Sequence, residues 1–213
     1  MTVADHTLAT AVEQPHDEAL KCFEHPESGA LCAVTWLSAH LAAVGRVVYP
    51  VARKTLPDGA ARVRSLLEVD RRLQQALWRL DRRMTGDVHL CRIPEEVLED
   101  RVREWLERHA ELERVLVADL RAALGQEEED RLVAKLADVM PHAPTRPHPD
   151  TPRFVTLSTV GFKLDALADH LRDVMDNRQI PTPRLVKPAR KVGLWGSYLL
   201  GTTYKRPDSE VSG

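Results

Sequence analysis

The chain has 213 residues, of which 30 are basic and 32 acidic, and its formal net charge is -2. A net charge so close to zero provides no broad positive field, which argues against a nucleic-acid-binding protein. Cys22, Cys32 and Cys91 are too few and too irregularly spaced for a disulfide framework or a zinc site, so we expect free thiols in a cytoplasmic protein. The N-terminal sequence lacks the basic and apolar regions of a secretory signal, and we expect no membrane-spanning segment.

Apolar residues at spacings of three and four predict a series of amphipathic helices. His25-Pro26 ends the first, and Pro50 should end or bend the second rather than split it. Short connections between long helices favour antiparallel neighbours, so we expect an all-α, up-down antiparallel bundle over residues 1–140, with residues 1–26 as a poorly defined leader. The predicted helices cover residues 17–23, 28–53, 60–84, 94–124, 127–139 and 162–178.

The helix over residues 94–124 carries the first candidate metal ligands. One apolar face contains His109, and Glu113 follows four residues later on nearly the same face. An imidazole and a carboxylate at this spacing can converge on one metal ion inside a bundle. The apolar residues predicted to share the face with His109 are Leu98, Val102, Trp105, Leu112 and Leu116.

Two further candidate ligands lie on the preceding helices. His40 lies on or beside the apolar stripe of the helix over residues 28–53. Asp70 interrupts a seam of apolar residues on the next helix, and a buried carboxylate is costly unless it is ion-paired, hydrogen-bonded or bound to a metal. The alternative is that Asp70 lies at the edge of the stripe and pairs with Arg71, Arg72 or an arginine of the following helix. Neither His16 nor His25 lies in a convincing helical pattern; His16 is the better candidate of the two, and we expect it at the surface.

With these residues in view, the sequence resembles the hemerythrin-like HHE cation-binding domains of actinobacterial type. The segments that carry the resemblance are HLAAVGRVVYPVAR from His40 to Arg53, the run from His109 to Arg121, and the proline-rich stretch APTRPHPDTPRF. The resemblance implies antiparallel helices around a di-iron site with histidine and carboxylate ligands.

The sequence departs from the family pattern at three positions. Val44 stands where the family has a carboxylate, Gly45 where it has an adjacent acid, and Asp70 where it has a histidine. The resemblance therefore implies an incomplete di-iron ligand set and argues against oxygen binding of the family kind. The residues that remain as candidate iron ligands are His40, Asp70, His109 and Glu113.

These observations favour a degenerate hemerythrin-like domain that acts as a non-catalytic binding or regulatory module for an unknown protein or small ligand. The alternative is a metal-binding protein, with one or two irons, that senses or binds O2, NO or iron. A third hypothesis is an enzyme or carrier whose apolar interior holds a ligand, with His109 and Glu113 as an acid-base pair.

Residues 141–213 differ in character from the predicted bundle. We expect a proline-rich segment that runs extended over the surface, with His142 and His148 in solvent, then a short amphipathic helix and a basic-aromatic tail. The tail sequence GLWGSYLLG lies between basic clusters, which suits a membrane surface or an acidic partner. The favoured alternative is that this tail packs on its own domain.

Overall fold

The computed structural model describes residues 7–25, 29–87, 89 and 92–147. Within these ranges the chain is helical and contains no strand, which confirms the all-α class. The predicted helix over residues 162–178, His148 and the basic-aromatic tail lie outside the described residues. The α-helices are α1 (Leu8–Cys22), α2 (Gly29–Val47), α3 (Tyr49–Thr55), α4 (Gly59–Met84), α5 (Glu95–Ala123) and α6 (Gln126–Val139), followed by a 3-10 helix at Met140–His142.

Four of the helices form a closed arrangement around one core. Helix α1 packs on α2, α2 on α4, α4 on α5, and α5 on α1. Helix α6 covers α1 and α2, and α3 lies mainly against α4. Apolar side chains fill the centre, including Leu37, Leu66, Leu77, Leu116 and Leu120, each at most 2% exposed. Burial of these side chains drives the packing, since each removes a large apolar surface from water.

Helix α1 begins nine residues earlier than the predicted start at residue 17. The Thr7 side chain accepts a hydrogen bond from the Thr10 amide, and the Thr10 side chain accepts one from the Thr7 amide, so two of the free amides at the helix start are satisfied. The Leu8 amide also donates to Glu129 of α6 at 2.9 Å. These bonds fix the start of α1, which continues through Pro15, and His16 lies inside the helix.

The predicted helix over residues 28–53 is divided at Val48 into α2 and α3. Pro50 lies in the first turn of α3, where its fixed backbone angle is favourable and its missing N–H costs least. Gly29–Thr55 is long and apolar enough to cross a membrane by length and composition alone, and the expectation of no membrane-spanning segment stays a prediction. In the structure 72% of its most apolar window is buried, so packing inside the bundle accounts for that apolar character.

The apolar stripe of α4 is buried as predicted, whereas that of α5 is rotated. Trp105 is only partly buried and Leu112 is 40% exposed, while Leu106 and Glu113 take the inward positions. Glu113 therefore lies in the centre of the buried face, 1% exposed, directly one turn after His109. The buried residues of the α4 stripe are Val63, Leu66, Asp70, Leu73, Leu77 and Leu80.

The expectation of free thiols was wrong for two of the three cysteines. Cys22 at the end of α1 and Cys32 near the start of α2 form a disulfide, with Cα atoms 5.7 Å apart. The packing of α1 on α2 brings these helix ends together although ten residues separate them in sequence. Cys91 lies outside the described residues.

The beginning of the proline-rich segment packs on the bundle rather than running over its surface. Ala143, Pro144 and Pro147 are buried, while His142 is exposed as expected. Proline adds apolar surface without an amide that needs a partner, so such a stretch can lie against the core at little polar cost. The segment forms part of a cavity wall, described below.

Candidate metal centre

Four polar side chains from three helices meet in the centre of the bundle. His16 comes from α1, His40 from α2, and His109 and Glu113 from α5. All four are buried, with exposures of 6%, 1%, 0% and 1%. Each offers one ligand atom, and these atoms all lie within 4.8 Å of one another.

The same type of atom points inward from each imidazole. The Nε2 atom of His40 lies 2.9 Å from Nε2 of His16 and 3.2 Å from Nε2 of His109. The rings meet edge to face, with interplanar angles of 77° to 85°. Crossed rings allow three Nε2 lone pairs to converge on a point without stacking of the ring faces.

Glu113 completes the group with a carboxylate oxygen close to all three rings. Its Oε2 atom lies 3.2 Å from Nε2 of His40, 3.5 Å from that of His16 and 3.6 Å from that of His109. Neither carboxylate oxygen of Glu113 has a hydrogen bond of good geometry within the described part of the chain. A buried carboxylate without such bonds is expensive, so the arrangement requires a positive charge near Oε2.

These distances fit the ligand shell of one metal ion. Tetrahedral ligands with metal–nitrogen bonds of about 2.0 to 2.1 Å are separated from one another by about 3.4 Å. Five of the six distances among the four ligand atoms, from 2.9 to 3.6 Å, bracket that value. The sixth, between the ligand nitrogens of His16 and His109, is at most 4.8 Å. Three imidazoles and one carboxylate are also a ligand set that Zn2+, Fe2+ and Mn2+ accept.

Asp70 lies behind His109, on the opposite side of the ring from the cluster. Its Oδ1 atom accepts a hydrogen bond from Nδ1 of His109 at 2.8 Å, and its Oδ2 atom accepts one from the hydroxyl of Tyr49 at 3.1 Å. The bond to Asp70 places the proton of neutral His109 on Nδ1 and leaves Nε2 as the inward-facing lone pair. A carboxylate behind a metal-binding histidine commonly plays this orienting role.

The protonation of the cluster follows from its burial and its charges. Burial and the neighbouring His40 lower the pKa of His16 to about 2, so this ring is neutral. Burial also opposes a charge on His109, but the Glu113 carboxylate and the hydrogen bond to Asp70 outweigh it and raise the pKa of His109 to about 10. Burial disfavours the Glu113 carboxylate, yet His40 and His109 together hold its pKa well below the usual range. The protonated His109 ring therefore places a positive charge beside the Glu113 carboxylate in the absence of metal.

The structure brings together three of the four residues predicted as metal ligands and places the fourth differently. His40, His109 and Glu113 meet at one point, whereas Asp70 bonds to the far nitrogen of His109. The alternative of Asp70 at the stripe edge with arginine partners was wrong, because Asp70 is 2% exposed and bonds to Tyr49 and His109.

His16 was the residue that sequence reasoning missed. We expected it at the surface, yet it is 6% exposed and belongs to the cluster. The signal was the spacing of Leu8, Val12, His16 and Ala19, which follows one helix face and continues to Cys22. The Thr7 and Thr10 pair marks the start of that helix in the sequence.

Val44, one helical turn after His40, is apolar and 1% exposed, so this buried position offers no metal-ligand atom. In residues 7–25, 29–87, 89 and 92–147, the group of His16, His40, His109 and Glu113 is the one cluster of metal-ligand geometry.

Comparisons with known proteins add no further assignment: no protein-family model, no curated protein and no solved structure matches this chain.

Proposed function

We propose that the protein binds a single divalent transition-metal ion through His16, His40, His109 and Glu113. The observation that carries this proposal is the buried Glu113 carboxylate, which faces three Nε2 atoms and has no well-formed hydrogen bond among the described residues. In the metal-free protein the His109 proton provides positive charge beside this carboxylate, and a metal ion would take the place of that proton. The ion would also use the lone pairs of all three imidazoles, which cannot all satisfy one another by hydrogen bonds.

The residues around the four ligands support metal binding rather than acid-base catalysis. Asp70 and Tyr49 hold His109 from behind, and the rings of His16 and His40 are nearly closed off from water. A catalytic acid or base must reach a substrate within hydrogen-bond distance, and four side chains at most 6% exposed leave little access for one. We therefore propose a non-catalytic role in which metal occupancy stabilises the bundle or reports metal supply.

The proposed metal site also bears on the fold family. We propose that the bundle is of the up-down antiparallel hemerythrin-like type and has kept one metal position while losing the second. The buried Val44 supports the loss of the second, and the ligands on α1, α2 and α5 support the retention of the first. Iron is the metal that the resemblance implies, and Mn2+ and Zn2+ suit the same ligands.

The test is the metal content of the protein, expressed with added iron and purified without chelators. We expect one metal ion per chain by elemental analysis. Replacement of any one ligand, as in His16→Ala, His40→Ala or Glu113→Gln, should reduce the content to a small fraction. His25→Ala is the matched control, because His25 is exposed and lies outside the cluster.

Two results would contradict the proposal. A folded wild-type protein with no metal after dialysis against Fe2+, Mn2+ and Zn2+ in turn would leave the buried cluster as a hydrogen-bonded core. Two metal ions per chain, with the absorption of an oxo-bridged pair, would restore the di-iron alternative and require ligands beyond those four.

A further inference from the structure

A second internal site lies beside the proposed metal site. A partly open cavity of about 390 Å3 is bounded by α2, α3, α4 and the residues that follow the 3-10 helix. Its volume falls at the lower end of the roughly 300 to 1,000 Å3 typical of small-molecule pockets. Tyr49 and Asp70 contribute to its wall, so the cavity and the proposed metal site share these two side chains.

The walls of the cavity are mainly apolar. Leu41 and Ala42 come from α2, Val63 and Leu67 from α4, and Pro144 and Pro147 from the proline-rich segment. A surface of this kind suits a hydrocarbon body, which gains by leaving water.

The depth of the cavity depends partly on Gly45. A methyl group added at this position would meet only the Tyr49 ring, at 4.0 Å. The missing side chain of Gly45 therefore leaves room in the cavity that a larger residue would fill. Glycine is otherwise unfavourable inside a helix by about 1 kcal/mol relative to alanine, so its presence here needs such a reason.

The charged groups that line the cavity are predominantly cationic. Arg53 and Lys54 at the end of α3 are exposed and therefore lie at the mouth, and Arg146 is partly buried. Asp70 is the one acidic residue among the described lining residues, and its two oxygens already bond to His109 and Tyr49. A ligand with a negative group at one end would place that group beside the cations Arg53 and Lys54 at the mouth.

From these features we infer that the cavity binds an anionic amphiphile, a molecule with a compact hydrocarbon body and one carboxylate. The hydrocarbon body would lie against Leu41, Val63 and Leu67, and the carboxylate would lie at the mouth near Arg53 and Lys54. The cavity borders on Tyr49 and Asp70 but contains none of the four proposed metal ligands, and its occupation does not require a metal ion.

The test uses decanoate as the probe and calorimetric titration of the full-length protein. We expect saturable binding of one decanoate per chain, both before and after treatment with a chelator. Acetate has the charge without the hydrocarbon body, and decyltrimethylammonium has the hydrocarbon body with the opposite charge. Neither should bind at the concentrations at which decanoate saturates.

Two variants test the position of the ligand. Gly45→Leu should abolish decanoate binding by filling the cavity, while Gly45→Ala should leave most of the affinity. Arg53→Gln combined with Lys54→Gln should weaken binding about three- to tenfold, as expected for two partly solvated ion pairs. Circular dichroism and metal content should remain those of the wild type in all of these variants.

Three results would overturn the inference: no decanoate binding, equal binding of decyltrimethylammonium, or unchanged binding by a folded Gly45→Leu protein. Failure of this inference is separable from failure of the proposed metal site. Metal content is measured without decanoate, and decanoate binding is measured without metal.

Discussion

The effect of Asp70 on metal binding can be tested separately from the effects of the four proposed ligands. It contacts His109 through Nδ1 and does not belong to the four-residue cluster. Its charge raises the basicity of the His109 ring, and its geometry keeps Nε2 directed inward. Tyr49 in turn holds the second oxygen of Asp70. The metal affinity should therefore depend on two residues that do not contact the metal.

Replacement of Asp70 by Asn should weaken metal binding by about 10- to 100-fold, because the amide keeps the shape but removes the charge behind His109. Tyr49→Phe should produce a smaller loss, since only the bond that steadies Asp70 is removed. Competition with a coloured chelator measures both affinities. Asp100→Asn, at an exposed position on α5, is the control and should not change them. Equal affinities in the wild type and in Asp70→Asn would show that Asp70 does not support a metal ligand.

Metal loading should release protons, because a metal ion and a proton compete for Nε2 of His109. The pKa of His109 is raised to about 10, so this ring is protonated at neutral pH in the metal-free protein. We expect release of about one proton per metal ion at pH 7, and an apparent affinity that falls about tenfold for each unit of decreasing pH. Calorimetry in two buffers with different ionisation enthalpies measures the proton number. A value of zero would mean that His109 is already neutral, contrary to the raised pKa.

A buried acidic side chain of α6 helps to hold the start of helix α1 in position. Glu129 of α6 accepts the Leu8 amide at 2.9 Å and lies 2.6 Å from the Arg121 guanidinium. It thereby ties the start of α1 to α5 and α6, and α1 carries His16 to the centre. A substitution at Glu129, which does not belong to the cluster, should therefore alter metal binding by changing the position of α1.

Glu129→Gln should loosen the first turns of α1 and speed metal release, because the amide is a poorer partner for Arg121. Hydrogen exchange of the amides near Leu8 and Val12 should increase, and metal should transfer faster to an excess of chelator. Glu128→Gln is the matched control, since Glu128 pairs with Arg131 on the outer surface. If α1 exchange rises without faster metal release, His16 is not a ligand.

The helices differ in how far the sequence predicts them. The burial of the α4 stripe, Asp70 included, is predicted by the spacing of three and four residues alone, because all of its members lie on one side of the helix. The spacing of residues along a helix could not show that Asp70 contacts His109 rather than a metal ion. A ligand and a residue that supports a ligand both appear in the sequence as buried polar residues. Helix α1 was misplaced because a short polar sequence with an internal Pro15 does not appear helical without its caps. The α5 stripe was rotated because His109 and Glu113, not Trp105 and Leu112, occupy the most buried positions.

The stability of the entire bundle should increase with metal concentration. A ligand that binds only the folded state stabilises it by about 2.7 kcal/mol at a free concentration of about 100 times Kd. For a protein of this size that corresponds to an increase in Tm of roughly 5 to 10 °C. Differential scanning fluorimetry with and without Fe2+ or Zn2+ measures the shift. It should disappear in His16→Ala and persist in His25→Ala; a shift that survives loss of His16 would indicate binding elsewhere.

The spacing of the four ligands along the chain has a consequence for the order of assembly. His109 and Glu113 lie one turn apart on α5, so this pair exists as soon as one helix forms. His40 is 69 residues away from His109, and His16 lies a further 24 residues towards the N-terminus. A bound ion would thus close two chain loops at once, and loop closure costs conformational entropy that the ion–ligand bonds must offset. The 24-residue loop is the shorter one, and the Cys22–Cys32 disulfide already draws α1 and α2 together, so this loop should close before the 69-residue loop. Docking of α5 on the α1–α2 pair should therefore be the last step in assembling the site.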